Sequence, residues 1–600
     1  MCGIFAVLAS DADFHTFESA IHSGFSTIKH RGPDATLTRQ TRIAKSHSHS
    51  VFMGFHRLAI MDTSSDGDQP FTKDGVSVVC NGEIYNYQSL IRSENLHSVM
   101  TSKCDCEVIL HLYLKYGFHD MVSILDGYYA IILHDYNKGQ VWVTRDGMGV
   151  RPLYIGHTEM EPPPLPTPMA SSFDSIAIGR LISASFTTPH PEKKRGLVAF
   201  SSEQKGLKWC CGARQLEPGL VMCYSVYSPT QFDSYCLSTF DSKIPPLGSG
   251  PITYDSTPVC DMIGKLLCSA VAKRCTADRD IACMLSGGLD SSLVAALLAA
   301  KIRPARLKTF SIGFDVSADI TYARLVAKHI NSDHTEILLT ENDFLDAIPH
   351  VIQAIESYDI TTVRASVGNY LLAKYVSQNT QCKVLFNGDY SDELLGGYQF
   401  LAMAPNEHEF DLENRKLVNE IHFFDSLRSD RCTAAWGLEA RTPYADRAFA
   451  TYVMSLAPKV KMHYRTAIKQ EKQILRDAFR GMGLIPDVVL NRSKCAFSDG
   501  VSSKSRSWSA VIKEHVDSFI RDGELTKAKS YTHIPPTTKE GLWYRRLYEY
   551  YYPGPGFANP VPHYWMPNVK WPGLEGTSDP SARTLVVNEE AEPPSGERTQ

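Results

Sequence analysis

CMLSGGLDSSLVAALLAA, residues 283–300, is the stretch on which the architecture turns. Apolar residues 281–285 read as a strand, Ser286, Gly287, Gly288, Leu289, Asp290 and Ser291 form a turn, and a helix begins at once and runs to about Lys301. Bare backbone N–H groups and a helix N-terminus therefore converge on one anion-sized volume, which suits phosphate. This is not a Walker A loop, because no G-x-x-x-x-G-K-[ST] is present and the turn is too short to wrap a transferred γ-phosphate. It suits a departing pyrophosphate, with Asp290 available to a Mg²⁺ that bridges phosphate oxygens.

Outward from this turn, apolar strands alternate with helical patterns. LKTFSIGF (307–314) precedes the helical TYARLVAKHI (321–330), and CKVLFNG (382–388) runs into a second Gly-rich turn. Such alternation predicts a doubly wound, mostly parallel α/β sheet, which binds ligands at the carboxyl ends of its strands. The second turn, VLFNGDYSDELLGGY (384–398), brings Asp389, Asp392 and Glu393 to that edge. Carboxylates facing a phosphate loop suit a shared metal ion or a base; alone they are a solvated acidic turn. Lys494, in NRSKCAFSDGV (491–501), would be a point cation for pyrophosphate oxygens, and alone is a surface lysine.

The first part of the chain is patterned differently. Short β runs at 4–8, 76–80, 129–134 and 141–144 stand between turn-rich segments, which predicts a layered, largely antiparallel domain. EPPPLPTP (161–168) belongs to a Pro-, Ser- and Thr-rich excursion at about 159–196 that can bury little. The expected organisation is a domain over 1–228 carrying that insertion, a connector over 229–250, a second domain over 251–576 and a disordered tail over 577–600.

Six hundred residues exceed one hydrophobic core, in agreement with two domains. With 61 Lys and Arg against 66 Asp and Glu, a net of −5, there is no global field for nucleic acid or an anionic membrane, and neither is expected as a partner. Fifteen scattered cysteines fit reduced thiols better than a disulfide framework, and Cys104 with Cys106 lacks a second pair at zinc-like spacing. Residues 4–9 are apolar but lack a basic n-region and the length of an h-region, and no run approaches the roughly 20 apolar residues that span a bilayer. A cytoplasmic protein is expected.

MCGIFAV, RGPDA, HRLAIMD, NGEIYNY, CDCEVI, LDGYYAI and RDGMGVRPLY follow in order through the first half. LSGGLDSS, TFSIGF, ESYDITTVRAS, GDYSDELLGGY, WGLEARTPYAD, EKQILRDAF and RSKCAFSDGV follow through the second. From Cys2 to about Arg583 the chain resembles the glutamine-hydrolysing asparagine synthetase family, and its first half resembles the class II glutamine amidotransferases. The resemblance implies an α+β glutaminase domain of the N-terminal nucleophile type and an α/β synthetase domain of the ATP pyrophosphatase type. It also implies a homodimer.

Removal of Met1 would leave Cys2 with a thiol and a free α-amine. An amine of pKa roughly 8 can serve as base to a thiol of about 8.5, so no histidine is needed. The resemblance makes Cys2 the nucleophile on the glutamine side-chain amide, with the Asn81 side chain and the Gly82 N–H as oxyanion donors. HRLAIMD contributes Arg57 for the α-carboxylate, with Leu58, Ala59, Ile60 and Met61 beside it, and Glu83 and Asp105 meet the α-ammonium. Taken singly, Asn81 and Gly82 are a hairpin turn and Asp105 a helix cap. In the second half, L-aspartate would attack the α-phosphate of ATP to give β-aspartyl-AMP, which ammonia then opens. By the same resemblance ATP lies against Leu285, Ser286, Gly287, Gly288, Asp290, Ser291, Ile312, Asn387 and Gly388. Asp290 and Asp392 would hold Mg²⁺, and Lys494 would neutralise pyrophosphate.

The family pattern S-G-E-G-[SA]-D-E is here Asn387, Gly388, Asp389, Tyr390, Ser391, Asp392, Glu393. Asp389 keeps the carboxylate thought to support adenylation, one methylene shorter, and Tyr390 replaces a glycine. Related enzymes that close β-lactam rings depart at neighbouring positions, so an acceptor other than aspartate is the alternative. The segment YDITTVRAS and the intact Cys2 favour aspartate. Cys495 stands where Glu is usual.

Overall fold

The computed structural model describes residues 1–43, 48–158, 196–236, 257–315, 317–462, 470–495, 500–502 and 506–575. The Pro-rich stretch, most of the connector and the tail over 577–600 lie outside these residues.

The first half is two antiparallel sheets face to face. One runs Gly212–Gln215, Tyr154–His157, Val198–Ser201, Gly3–Ser10, His49–Arg57, Ala35–Ile43 in spatial order. The other runs Ser228–Cys236, Leu220–Ser225, Gln140–Arg145, Gly127–Asp135, Val76–Ile84, Phe71–Lys73. Side-chain alternation explains the unbroken apolar run after Cys2. Ile4, Ala6 and Leu8 pack between the sheets with Val79, Ile132 and Phe200, whereas Phe5, Val7 and Ala9 pack outward on helix Asp11–Thr27 through Phe14, Ile21 and Phe25. That helix starts without a loop because the Ser10 side chain caps it, accepting from Asp13 N at 3.1 Å. Helix Val108–Tyr116 covers the other sheet. The antiparallel half also extends past residue 228, where the connector was expected to begin: Ser228–Cys236 pairs with Leu220–Ser225. The polar composition of an edge strand, dry on one face only, accounts for the discrepancy.

The second half is a parallel five-stranded sheet in the order Asp333–Leu338, Lys308–Gly313, Ile281–Met284, Val384–Phe386, Glu439–Arg441. Cys283 and Phe386 face one core, Ala282 and Leu385 the other, so both faces are covered and the strands read as uninterrupted apolar runs. Chain order reverses between Ile281–Met284 and Val384–Phe386, and the two turns singled out in the sequence leave the carboxyl ends of these two strands. That switch point is where doubly wound sheets bind ligands.

The halves are joined by a buried interface. Leu58, Ile60, Tyr128, Met148 and Val150 of the first half belong to the same core as Leu285, Leu289 and Tyr390 of the second. Arg31 binds Asp430 at 2.8 Å across it, with both side chains buried.

Candidate active sites

At the switch point the SGGLDSS turn is built by its own hydroxyls: Ser286 Oγ and Ser291 Oγ are 2.9 Å apart, and Gly288 N donates to Ser286 Oγ at 3.3 Å. Gly287 has φ +70°, and a Cβ there would lie 2.4 Å from Ala323 N, so no other residue fits without moving the next helix. Leu285, Ser286, Gly288, Asp290, Ser291, Ile312, Asn387 and Gly388 all line one cavity, together with Asp389, Asp392 and Lys494. Gly287 does not line it, and serves the turn by packing. Lys472 Nζ donates to Asp290 at 2.5 Å and to Asp392 at 2.7 Å, and Lys494 Nζ binds the other oxygen of Asp392. Burial alone would push the Asp392 carboxyl up, but the Lys472 and Lys494 ammonium groups hold it well below the usual range. Asp290 and Asp392 lie on either side of the Lys472 ammonium and offer carboxylate oxygens, the hard donors that Mg²⁺ takes. The residues therefore fit Mg²⁺.

Deeper in this cavity Asp389 binds Arg428 at 2.8 Å, and Arg428 also reaches Asp425 at 3.4 Å while its Nε is buried without a partner. Burial pushes the Asp389 carboxyl up, against the pull of Arg428. Tyr390, with φ +77°, is buried, and its hydroxyl is bonded to Ser426 Oγ.

The second cavity lies in the first half and is lined by Cys2 with Arg57, Leu58, Ile60, Met61, Gly82, Glu83 and Asp105. Leu58 N donates to Cys2 Sγ at 3.4 Å, and Arg31 Nε to Cys2 O at 2.9 Å. With Met1 in place, burial pushes the Cys2 thiol up to about 11. Asn81 and Gly82 sit in the middle of Val76–Ile84, opposite Ala130 and Tyr129, and not in a hairpin turn. The Asn81 side chain lies on the face shared with Val79, toward the layer where Cys2 packs, and both its amide atoms are buried with no partner. A buried amide is costly to leave unpaired, so a partner from outside the described residues is expected there. Gly82 is obligatory, since a Cβ would fall 2.1 Å from Tyr128 O.

The acids here are held neutral more easily than those at the phosphate loop. Burial pushes Asp105 up to about 6, although its Oδ2 accepts from Ile84 N at 2.5 Å, and burial pushes Glu83 up as well. Arg441 of the parallel sheet reaches Glu83 at 3.4 Å. Cys104 Sγ, an Asp105 oxygen and Cys106 Sγ lie within 4.8 Å of one another, but both thiols are pushed well above their usual range and donate to that carboxylate.

Chain comparison decides the family. Residues 262–419 and 402–555 match the asparagine synthase family model, and residues 1–179 match that of the glutamine amidotransferase domain. The glutamine-hydrolysing asparagine synthetase of Homo sapiens is 37% identical over 595 residues, covering 98% of this chain and 99% of that one. That of Gallus gallus is 38% identical over 594 residues, with 98% of each chain covered. The chain belongs to the glutamine-hydrolysing asparagine synthetase family. Its two-domain fold is the one expected.

Against this asparagine synthetase framework, three sequence expectations change besides that for Gly287. Ala59 does not line the Cys2 cavity; its N–H donates to Asp34 and its carbonyl accepts from Arg279, which fixes the loop. Arg57 lines the cavity, but its guanidinium also binds Ser64 O at 2.5 Å and Asp68 at 2.7 Å, so it shapes the 61–68 loop as well. Asn81 adjoins the cavity from the sheet interior. Sequence reasoning missed Lys472, Arg492, Arg428, Arg441 and Glu439. Lys472 and Arg492 stand in EKQILRDAF and NRSKCAFSDGV, and the signal was there: Arg492 donates to Ser286 O at 3.4 Å and Asp319 at 2.6 Å. Glu439 and Arg441 stand likewise in the quoted WGLEARTPYAD; nothing local marks Arg428, which reaches its site only through tertiary packing.

Proposed function

We propose that the chain makes L-asparagine from L-aspartate, L-glutamine and ATP, releasing AMP, diphosphate and L-glutamate. One observation carries the reading. The strand Glu439–Arg441 touches both cavities, with Glu439 in the wall of the Cys2 cavity and Arg441 O accepting from Asn387 N, in the wall of the phosphate-loop cavity, at 3.2 Å.

In the first cavity the thiolate of processed Cys2 attacks the glutamine amide carbon, with Asn81 and Gly82 N–H receiving the oxyanion. Ammonia leaves, and water hydrolyses the thioester. The wall holds three acids, Glu83, Asp105 and Glu439, and Arg57, whose guanidinium is paired with Asp68; Arg151 and Arg441 reach Glu439 and Glu83 from outside the wall, so Asp105 is left without an ion pair and one more positive charge suits it. The glutamine α-ammonium supplies that charge, and Arg57 faces the α-carboxylate. Ammonia is mostly protonated in neutral water and useless as a nucleophile, so transfer through the buried interface keeps it reactive.

In the second cavity ATP lies with adenine toward Leu285 and Ile312 and its phosphates at Ser286, Gly288 and Ser291. Asp290 and Asp392 would hold Mg²⁺, which would supply charge neutralisation of the phosphates. Lys472 and Lys494 stabilise the departing diphosphate. Arg428 with Asp389 and Asp425 offers one cation and two anions, which matches the α-carboxylate and α-ammonium of an amino-acid acceptor. The proposal extends, by resemblance, to a homodimer in the cytoplasm; among the described residues no helix is long and apolar enough to cross a membrane.

The test is asparagine formation from either nitrogen donor. Cys2→Ala is expected to lower glutamine-driven synthesis about 1000-fold or more while leaving ammonia-driven synthesis. Glutamine use that survives Cys2→Ala would end the reading. A second reading, adenylation of a different carboxylate, is favoured by Asp389 and Tyr390. Diphosphate release that ignores aspartate and responds to another acid would establish it.

A further inference from the structure

The Cys2 cavity contains one group from the wrong half of the molecule. Glu439 belongs to the edge strand of the parallel sheet, yet its buried carboxylate lines the cavity with Cys2, Glu83 and Asp105. It is fixed there by Arg441 Nε at 2.8 Å and Arg151 Nη2 at 3.6 Å, one guanidinium from each half.

The neighbours of Glu439 hold the chain terminus. The Met1 amine donates to Leu438 O at 3.2 Å, and the Met1 side chain packs on Ala434 and Ala440. Cys2 itself is anchored independently, through its carbonyl to Arg31 and its sulfur to Leu58 N. Removing Met1 therefore empties a chamber walled by Ala434, Leu438 O and Ala440 without releasing Cys2, and exposes the new α-amine to that chamber. The charged and titratable groups that act on the terminus there are Arg31 from the first half, Arg151, Cys2 and Glu439. Arg31 and Arg151 repel a protonated amine, and burial disfavours it further; Glu439 favours it. For the Met1 amine the balance falls to about 5, with burial the main cause and Glu439 the largest opposing charge.

We propose that Glu439 is a positioning residue of the glutaminase centre: with the Leu438 carbonyl it holds the freed Cys2 α-amine beside the Cys2 thiol, so the glutaminase site is complete only when the synthetase sheet is docked. The amine takes the thiol proton, becoming an ammonium that donates to Leu438 O and Glu439. The thiolate attacks the amide carbon, and the same proton passes to the departing nitrogen, leaving ammonia, the thioester and a neutral amine. Glu439 thereby keeps the amine basic enough to act, in a place where burial and two guanidiniums would otherwise hold it too weak a base.

This inference rests on the terminal-nucleophile reading above, and the experiment separates the two. The readout is kcat at saturating glutamine against pH, in the full-length, Met1-processed enzyme, with ammonia-driven synthesis as the measure of an intact fold. Bound glutamine keeps Glu83 and Asp105 ionised, so the acid limb of kcat belongs to the amine. Glu439→Gln is expected to lower kcat about tenfold and move its acid limb about one pH unit down, with ammonia-driven synthesis within about twofold; Glu439→Asp restores part of both. Ala440→Val leaves every charge in place but narrows the chamber, and is expected to lower glutamine-driven synthesis alone. An unmoved limb in Glu439→Gln, equal loss of both activities, or an unaffected Ala440→Val overturns the proposal. If Cys2→Ala also leaves glutamine use intact, the terminal-nucleophile reading falls with it; if Cys2→Ala abolishes it, only the role of Glu439 falls.

Discussion

The two cavities treat buried carboxylates in opposite ways. At the phosphate loop, Asp392 is held ionised by Lys472 and Lys494, and on the proposed function the acids would take a divalent ion and the lysines the phosphates. In the Cys2 cavity, Glu83 and Asp105 are pushed up by burial, and guanidiniums reach only part of the charge. One cavity carries its counter-ions as side chains, and the other leaves part of its charge uncompensated, a vacancy that on the proposed function the substrate's own ammonium would fill. Charge balance thus discriminates a nucleotide site from an amino-acid site more sharply than residue type, since both are rich in Asp, Glu, Arg and Gly.

The largest expected effect strikes the cavity that supplies its own cations. Lys472→Met leaves Asp290 and Asp392 facing each other and removes a charge from the diphosphate. Synthesis from glutamine or from ammonia is expected to fall about 1000-fold or more, while glutamine hydrolysis persists. Steady-state assays of both activities check it. Glutaminase lost in parallel would show that the cavities are not separable as described.

Next comes Asn81→Ala, which removes the amide that has no partner in the folded chain. One oxyanion donor is worth about 3 kcal/mol, so glutaminase kcat should fall about 100-fold with ammonia-driven synthesis unchanged. Because no hydrogen bond within the protein is lost, the melting temperature should not fall. A large drop in stability would mean the side chain is structural.

The pH dependence of glutamine capture tests the vacancy itself. Asp105 has its pKa raised to about 6, so as the pH falls through that value the free site gains a proton and loses the charge that attracts an α-ammonium. Glutamine kcat/KM should therefore drop about tenfold per pH unit below 6, and more steeply if Glu83 titrates with it. Ammonia-driven synthesis at constant free ammonia should show no such limb, and Asp105→Asn should abolish it at low activity throughout.

How much of this was legible in the sequence depended on distance along the chain. The strand, turn and helix around SGGLDSS are contiguous, so backbone chemistry alone placed them at a sheet edge. Cys2 was singled out for its place directly after Met1, and it lines the second cavity. Asn81 was seen as a functional candidate but its local alternative, a hairpin turn, failed because the flanking apolar residues continue the strand on both sides. Glu439 and Arg441 stand in WGLEARTPYAD, a quoted motif, but a three-residue strand there carries no sign that it will abut a cavity formed some 350 residues earlier in the chain. The end of the first domain was misjudged because an edge strand lacks the apolar run that marks a buried one.

The smallest effect concerns Tyr390, which replaces a glycine of the family pattern and lies in the core shared by the two halves, in the wall of the phosphate-loop cavity. Its φ of +77° is one that glycine adopts freely and that costs an L side chain about 1–2 kcal/mol. Removing the buried ring costs about 3–5 kcal/mol in packing, which exceeds the relieved strain, so Tyr390→Gly and Tyr390→Ala are both expected to be less stable than the parent. Between the two variants the cavity is nearly the same, and the backbone decides. Tyr390→Gly should then be more stable than Tyr390→Ala by about 1 kcal/mol, the reverse of the usual order for these residues, in denaturant melts of the full chain. The opposite order would mean that the turn relaxes out of the left-handed region once the ring is gone, and that the ring, through its bond to Ser426, is what holds Asp389 and Asp392 on either side of it in register with the phosphate loop.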